Sequence, residues 1–209
     1  MKNKFLRHGI LLLSICLICM ATIPLVSAGG TADDKVLVTH ATMDQVKKIN
    51  ELWGSDITIG EYMEKVHPEH LVGVPDDVKK EMYQRKMNWP EEENNNAIAD
   101  ISNQVKSILA TLTVSGSSAA YSNRVQFSSY AICSQQASYI YVDSFLKNAA
   151  DTTAGSCSAS STNYVNAVSC SNMVAWPAAG YYHVHSWGYT ISPSSEGSHH
   201  DNNPSYFPG

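Results

Sequence analysis

Tyr139-Ile140-Tyr141-Val142-Asp143-Ser144-Phe145-Leu146 is the stretch that decides the fold: aromatic and β-branched residues in a short run read as a β-strand. Around it the pattern repeats. Upstream, Arg124-Val125-Gln126-Phe127 alternates between polar and apolar. Downstream, Lys147 to Thr162 is rich in Ala, Gly, Ser and Thr and reads as a loop. Tyr164 to Trp176 supplies one or two further strands, Pro177-Ala178-Ala179-Gly180 a turn, and Tyr181 to Tyr189 another strand. Short strands separated by turn signals predict a small antiparallel sandwich or barrel over residues 121–209.

The charge distribution sets this region apart from what precedes it. Gly29 to Ala97 carries 8 Lys/Arg against 14 Asp/Glu, whereas everything after Ala97 carries only Lys106, Arg124 and Lys147 against Asp100, Asp143, Asp151, Glu196 and Asp201. The charged part has a helical period. Thr42-Met43-Asp44-Gln45 is a capping box leading into Val46, Ile49, Leu52 and Trp53, and Gly54-Ser55 ends that helix. Thr58-Ile59-Gly60-Glu61 is a second capping box, with His67-Pro68 as its stop. Pro75-Asp76-Asp77 suits the first turn of a third helix, running to about Met87 before Trp89-Pro90.

Residues 29–90 thus form a charged helical module, and residues 91–97 (three Glu, then Asn) an acidic linker. Ile98, Ile101, Val105, Ile108 and Leu112 recur every three or four residues. Residues 98–120 therefore read as an amphipathic helix leading into the sandwich, already extended by Thr111 to Val114. The fold class is α+β.

Met1 to Ala28 has the form of a secretory signal peptide: Lys2, Lys4 and Arg7, an apolar core, then Val26-Ser27-Ala28 before the expected cleavage. Pro24 interrupts the apolar run, which falls short of the roughly 20 residues a membrane span requires, and no later segment is apolar enough to serve. Export leaves Cys133, Cys157 and Cys170. Three pairings can be drawn; Cys157–Cys170, closing a short loop, is the favoured one, with Cys133 left over. Without clustered Lys/Arg the acidic mature chain is a poor partner for nucleic acid.

Ala179-Gly180-Tyr181-Tyr182-His183-Val184 resembles the penultimate-strand signature of immunoglobulin-like sandwiches, where a small residue, Gly and Tyr precede an inward Cys or Val. The resemblance implies that Tyr182 stands at the tyrosine corner and that Val184 faces the core in place of the cysteine. The chain departs from the antibody-type pattern in having no Trp in the Tyr139–Leu146 strand and no cysteine at Val184.

In that register Tyr181, His183, His185, Trp187 and Tyr189 share the opposite face. Either this stripe packs under the helical segment, or it is an outer recognition surface, since Trp and Tyr stack on sugars and anchor protein partners. His183 and His185 are also weak metal-ligand candidates, with His199, His200 or Asp201 closing the set from the tail. His40, His67 and His70 have no regular helical partner and receive no role.

The tail from Ser192 to Gly209, with three prolines, reads as a poor final strand. It leaves either an upstream segment or a neighbouring chain to close the sheet. No nucleophile elbow, HExxH, P-loop or dinucleotide fingerprint is present. The reading that follows is a secreted or cell-surface, non-enzymatic binding or adhesion protein with no cofactor, taking a protein or carbohydrate ligand and capable of self-assembly. Two alternatives stand beside it: a secreted hydrolase or toxin with a removable helical pro-region, and a structural subunit of a surface layer or filament.

Overall fold

Both capping boxes form. The Gln45 N–H donates to Thr42 Oγ1 and the Thr42 N–H to Gln45 Oε1, and Thr58 and Glu61 repeat the exchange. They open α1 (Met43–Leu52) and α2 (Ile59–Val66), and α3 (Asp76–Gln84) starts after Pro75. This last helix stops before the predicted Met87. Lys86 instead bridges to Thr58, and the Met87 N–H donates to the Ile57 carbonyl, so the chain turns back along the start of α2.

In this computed structural model residues 36–90 and 110–209 are described. The signal peptide, the acidic linker and residues 98–109 of the predicted 98–120 helix lie outside them; Leu112–Ala120, assigned to the end of that segment, is a strand and not a helix.

Nine strands follow the order β1 (Leu37–His40), β2 (Leu112–Ala120), β3 (Arg124–Cys133), β4 (Tyr139–Asn148), β5 (Thr153–Ser161), β6 (Ala167–Ala175), β7 (Gly180–Ile191), β8 (Ser195–His200) and β9 (Ser205–Phe207). They make two antiparallel sheets. The larger runs β1-β5-β4-β7-β8, with β9 also on β7; the smaller runs β2-β3-β6. The architecture is α+β.

Two further regions depart from the sequence reading. Thr153–Ser161, expected within a loop, is a buried strand. The tail supplies β8 and β9, so the chain itself closes that edge of the large sheet.

Alternation on β4 and β7 divides the interior into two layers. Ile140, Val142, Leu146, Tyr182 and Val184 join Val125, Phe127 and Val168 in a core between the sheets. The Cys157–Cys170 disulfide ties β5 to β6 across it, with Cα atoms 5.9 Å apart. Cys133 is free and buried in this layer. The opposite face of the large sheet presents Tyr139, Tyr141, Phe145, Trp187 and Tyr189, and α1–α3 cover it with Ile49, Ile59, Tyr62, Met63, Val66, Val78 and Met82. The helical segment is thus one wall of a shared core, and β1 continues the sheet from β5. No helix among the described residues is long and apolar enough to cross a membrane.

Candidate functional site

The stripe of Tyr181, His183, His185, Trp187 and Tyr189 lies on one face of β7, but that face is not an outer surface. Trp187 and Tyr189 are fully buried under the helices, His185 is 1% exposed, and only Tyr181 stands well exposed, at 55%. The helices remove from solvent what the strand pattern alone leaves open. The stripe therefore has two ends, an aromatic one inside the core and a histidine one at its margin.

At the margin, cross-strand register assembles a polar cluster. β7 places His183 opposite Lys147 of β4, and His185 opposite both Phe145 of β4 and His200 of β8. His200 Nδ1 comes within 2.9 Å of His185 Nε2. Asp151 enters from the β4–β5 turn, where Asn148 Oδ1 accepts from the Ala150 and Thr152 N–H groups. Asp151 adopts φ 55°, a left-handed conformation that Asp tolerates better than most residues. Its Oδ1 lies 3.9 Å from the Nε2 atoms of both His183 and His185.

Two groups hold this cluster in place. The Pro90 carbonyl lies 3.2 Å from His185 Nδ1; a carbonyl only accepts, so Nδ1 carries the proton. The buried Lys147 ammonium sits 3.3 Å from the centre of the Trp53 ring and donates to the Asp151 carbonyl at 3.0 Å. Burial lowers Lys147 to about 8, with Asp151 pulling the other way. Burial, helped by His200, His183 and Lys147, brings His185 down to about 3, so its imidazole is neutral at ordinary pH.

The cluster adjoins a cleft of about 490 Å³, lined among others by Trp53, Asp56, Asn88, Trp89, Asp151 and His185. Trp53 and Trp89 pack against each other at a tilt of 49°, with centroids 5.0 Å apart, and Trp53 meets His185 edge-on. The Trp89 indole is pinned by donation to the Ser55 carbonyl.

A second polar cluster lies deeper, between the helices and the sheet. Asp143 accepts from the Tyr62 hydroxyl (2.6 Å), the Tyr141 hydroxyl (3.0 Å) and Ser156 (2.7 Å). His67 Nε2 lies 3.2 Å from Asp143 Oδ2 without hydrogen-bond alignment, so charge rather than a shaped bond holds that pair. Burial opposes charging His67, yet Asp143, with Glu69, more than offsets it and lifts the imidazole to about 9. His70 is brought down to about 4 by burial and by His67. Its Nδ1 meets Ser160 and its Nε2 meets Ser158 and Thr39.

His67, Glu69 and His70 also group their donor atoms closely. Both His70 nitrogens are engaged by hydroxyls, however, and the cluster reads as a structural pin. Sequence reasoning assigned His67 and His70 no role, and it did not foresee Lys147 or Asp151 beside the histidines. Those contacts depend on a turn and a strand pairing that no local motif announces.

Compared with models of known families, with curated proteins and with solved structures, the chain matches none.

Proposed function

We propose that the protein is exported and acts at the cell surface as a non-enzymatic binding protein, taking a carbohydrate-class ligand in the cleft beside Trp53. The observation that carries this reading is the composition of that cleft. Trp53, with the largely buried Trp89 tilted against it, stands beside Asp56, Asn88 and Asp151, setting apolar ring surface next to acceptors and donors suited to a sugar's hydroxyls. The N-terminal Lys2 to Ala28 pattern and the Cys157–Cys170 bond support an exported chain.

We also infer an immunoglobulin-like sandwich. Strands β2–β8 divide as β2-β3-β6 and β5-β4-β7-β8. This differs from the constant-type arrangement chiefly in pairing the fourth strand of the seven with the third instead of the fifth. The Tyr182 hydroxyl donates to the Ala178 carbonyl at 2.8 Å, the bond expected of a tyrosine corner. The pro-region alternative finds no support in the packing, because the helices complete a core that the sheet cannot close alone. Self-assembly draws support from the outer face of the small sheet, where Tyr130, Ile132 and Met173 are exposed among serines.

The test is calorimetric titration of the mature protein with a panel of neutral and acidic oligosaccharides, in the presence of a chelator. Saturable binding that Asn88→Ala and Asp56→Asn each weaken at least tenfold is expected. Absence of binding across the panel, or binding untouched by both substitutions, overturns the reading.

A further inference from the structure

We propose that His183, His185 and His200, with the Asp151 carboxylate, form a binding site for a divalent first-row transition metal of the zinc class. One donor atom from each histidine can be chosen so that all lie within 4.8 Å of one another. A tetrahedral ion with arms of about 2.0–2.1 Å needs its donors about 3.3 Å apart, so the three imidazoles need only a small inward adjustment. His200 Nδ1 and His185 Nε2 are already 2.9 Å apart. Asp151 Oδ1, equidistant at 3.9 Å from His183 Nε2 and His185 Nε2, is placed to close the set.

The surroundings have the character of a metal site's outer shell. The Pro90 carbonyl takes the Nδ1 proton of His185 and so turns its Nε2 lone pair toward His200. A backbone acceptor on the far ring nitrogen is how ligating histidines are commonly oriented. Asp151 is steered by Lys147, which donates to its carbonyl and lies 3.8 Å from its carboxylate. The ammonium's charge is met there and over the Trp53 ring, not turned on the imidazoles alone.

Two adjacent strands carry the histidines, His183 and His185 on β7 and His200 on β8, so register fixes their spacing. Three imidazoles and one carboxylate suit zinc, copper, nickel or cobalt rather than calcium or magnesium, which take oxygen sets. The tetrahedral N₃O pattern favours zinc. Asp151, half exposed, gives the ion a way in from solvent. The site shares Asp151 and His185 with the cleft, but it does not rest on the carbohydrate reading, because β7–β8 register and not the indole walls sets its histidines.

The experiment uses untagged mature protein, stripped with a chelator and dialysed. It is titrated with Zn(II) by calorimetry and with Co(II) as an optical probe of geometry. One equivalent, a tetrahedral cobalt spectrum, and at least tenfold weaker binding in His183→Ala and in His200→Ala are expected, with unchanged circular dichroism. Asp151→Asn should weaken binding and alter the cobalt spectrum, while His40→Ala does neither.

His185 is too buried to serve as the test position. If the wild-type protein binds no stoichiometric metal, or if binding survives His183→Ala and His200→Ala, the site is disproved. Binding abolished by Glu69→Gln but not by His200→Ala would place the ion at His67–His70 and disprove it equally. Oligosaccharide titrations run with chelator present keep this outcome separate from that of the cleft.

Discussion

His67 Nε2 lies 3.2 Å from Asp143 Oδ2 with both side chains fully buried, so the helical segment and the large sheet are joined by an ion pair removed from water. Three hydroxyls, from Tyr62, Tyr141 and Ser156, complete the shell of that carboxylate. Removing one member of such a pair strands the other, at a cost of about 3–5 kcal/mol. Asp143→Asn should therefore destabilise the protein by that order in urea unfolding. Tyr62→Phe, which removes one hydrogen bond to a charged group, should cost about 1.5–3 kcal/mol. A cost below about 1 kcal/mol for Asp143→Asn would mean the pair is not a structural pin.

The same cluster sets a pH profile. The pKa of His67 is raised on folding, from 6.5 to about 9, so its contribution is complete below pH 6.5 and is lost as pH rises toward 9. For His70 it is depressed from 6.5 to about 4, so its contribution is present above pH 6.5 and is lost as pH falls through 4. His185, lowered from 6.5 to about 3, acts in the same sense as His70, so stability should peak at about pH 7. Lys147, lowered from 10.5 to about 8, begins to oppose the His67 trend only toward pH 8, which leaves about 7 to 8 as the clean window. Melting temperature should fall across that window, with imidazole NMR signals showing His67 charged and His70 neutral. A flat or rising melting temperature there would refute the assignment.

The helices, the principal strand and the disulfide were legible because each has a local cause: Thr42 and Thr58 cap, Tyr139 to Leu146 is a run of aromatic and β-branched residues, and Cys157 and Cys170 close a short loop. Thr153–Ser161 was not legible, since it lacks β-branched and aromatic bulk after its first residue. Its pattern of two is written in small residues instead. Ser156, Ser158 and Ser160 face Asp143 and His70, while Cys157 and Ala159 face the core between the sheets. Burial of those serines is repaid only by partners far away in sequence. The β7 stripe was read on the correct face, but which layer covers that face is a tertiary fact.

Gly116 of β2 marks a close approach of the two sheets. A Cβ there would collide with the Ser186 and Ser129 hydroxyls and with Val184. Ser129 is bonded to Ser144 and Ser186 at 2.7 and 2.6 Å, so the small residues form a polar seam inside the sandwich. Gly116→Ala should overpack this seam and cost about 1–3 kcal/mol. Chemical denaturation reads it, and a neutral result would show that β2 can back away from β7.

The disulfide lies between the two sheets and not within one, since β5 belongs to the larger and β6 to the smaller. Its 13-residue separation corresponds to about 3 kcal/mol in the chain-entropy account. The double variant Cys157→Ser, Cys170→Ser should lose that order of stability while keeping its circular dichroism in the cold. An unchanged urea midpoint would show that the core between the sheets holds them without the bond.

The helical layer poses the most direct question about what a working form of this protein must contain. Tyr139, Tyr141, Phe145, Trp187 and Tyr189 have no exposure with the helices in place, and α1–α3 provide their partners. Burying one large side chain is worth about 1.5–3 kcal/mol, so uncovering five exceeds the margin by which an ordinary domain is stable. Asp143 would lose Tyr62 and His67 at the same moment. A chain beginning at Ala110 should therefore fail to fold as a monomer, binding a hydrophobic dye and aggregating where the full chain does not. Recovery of a folded monomer with a urea midpoint close to that of the full chain would reverse the argument and return the helices to the status of a removable segment.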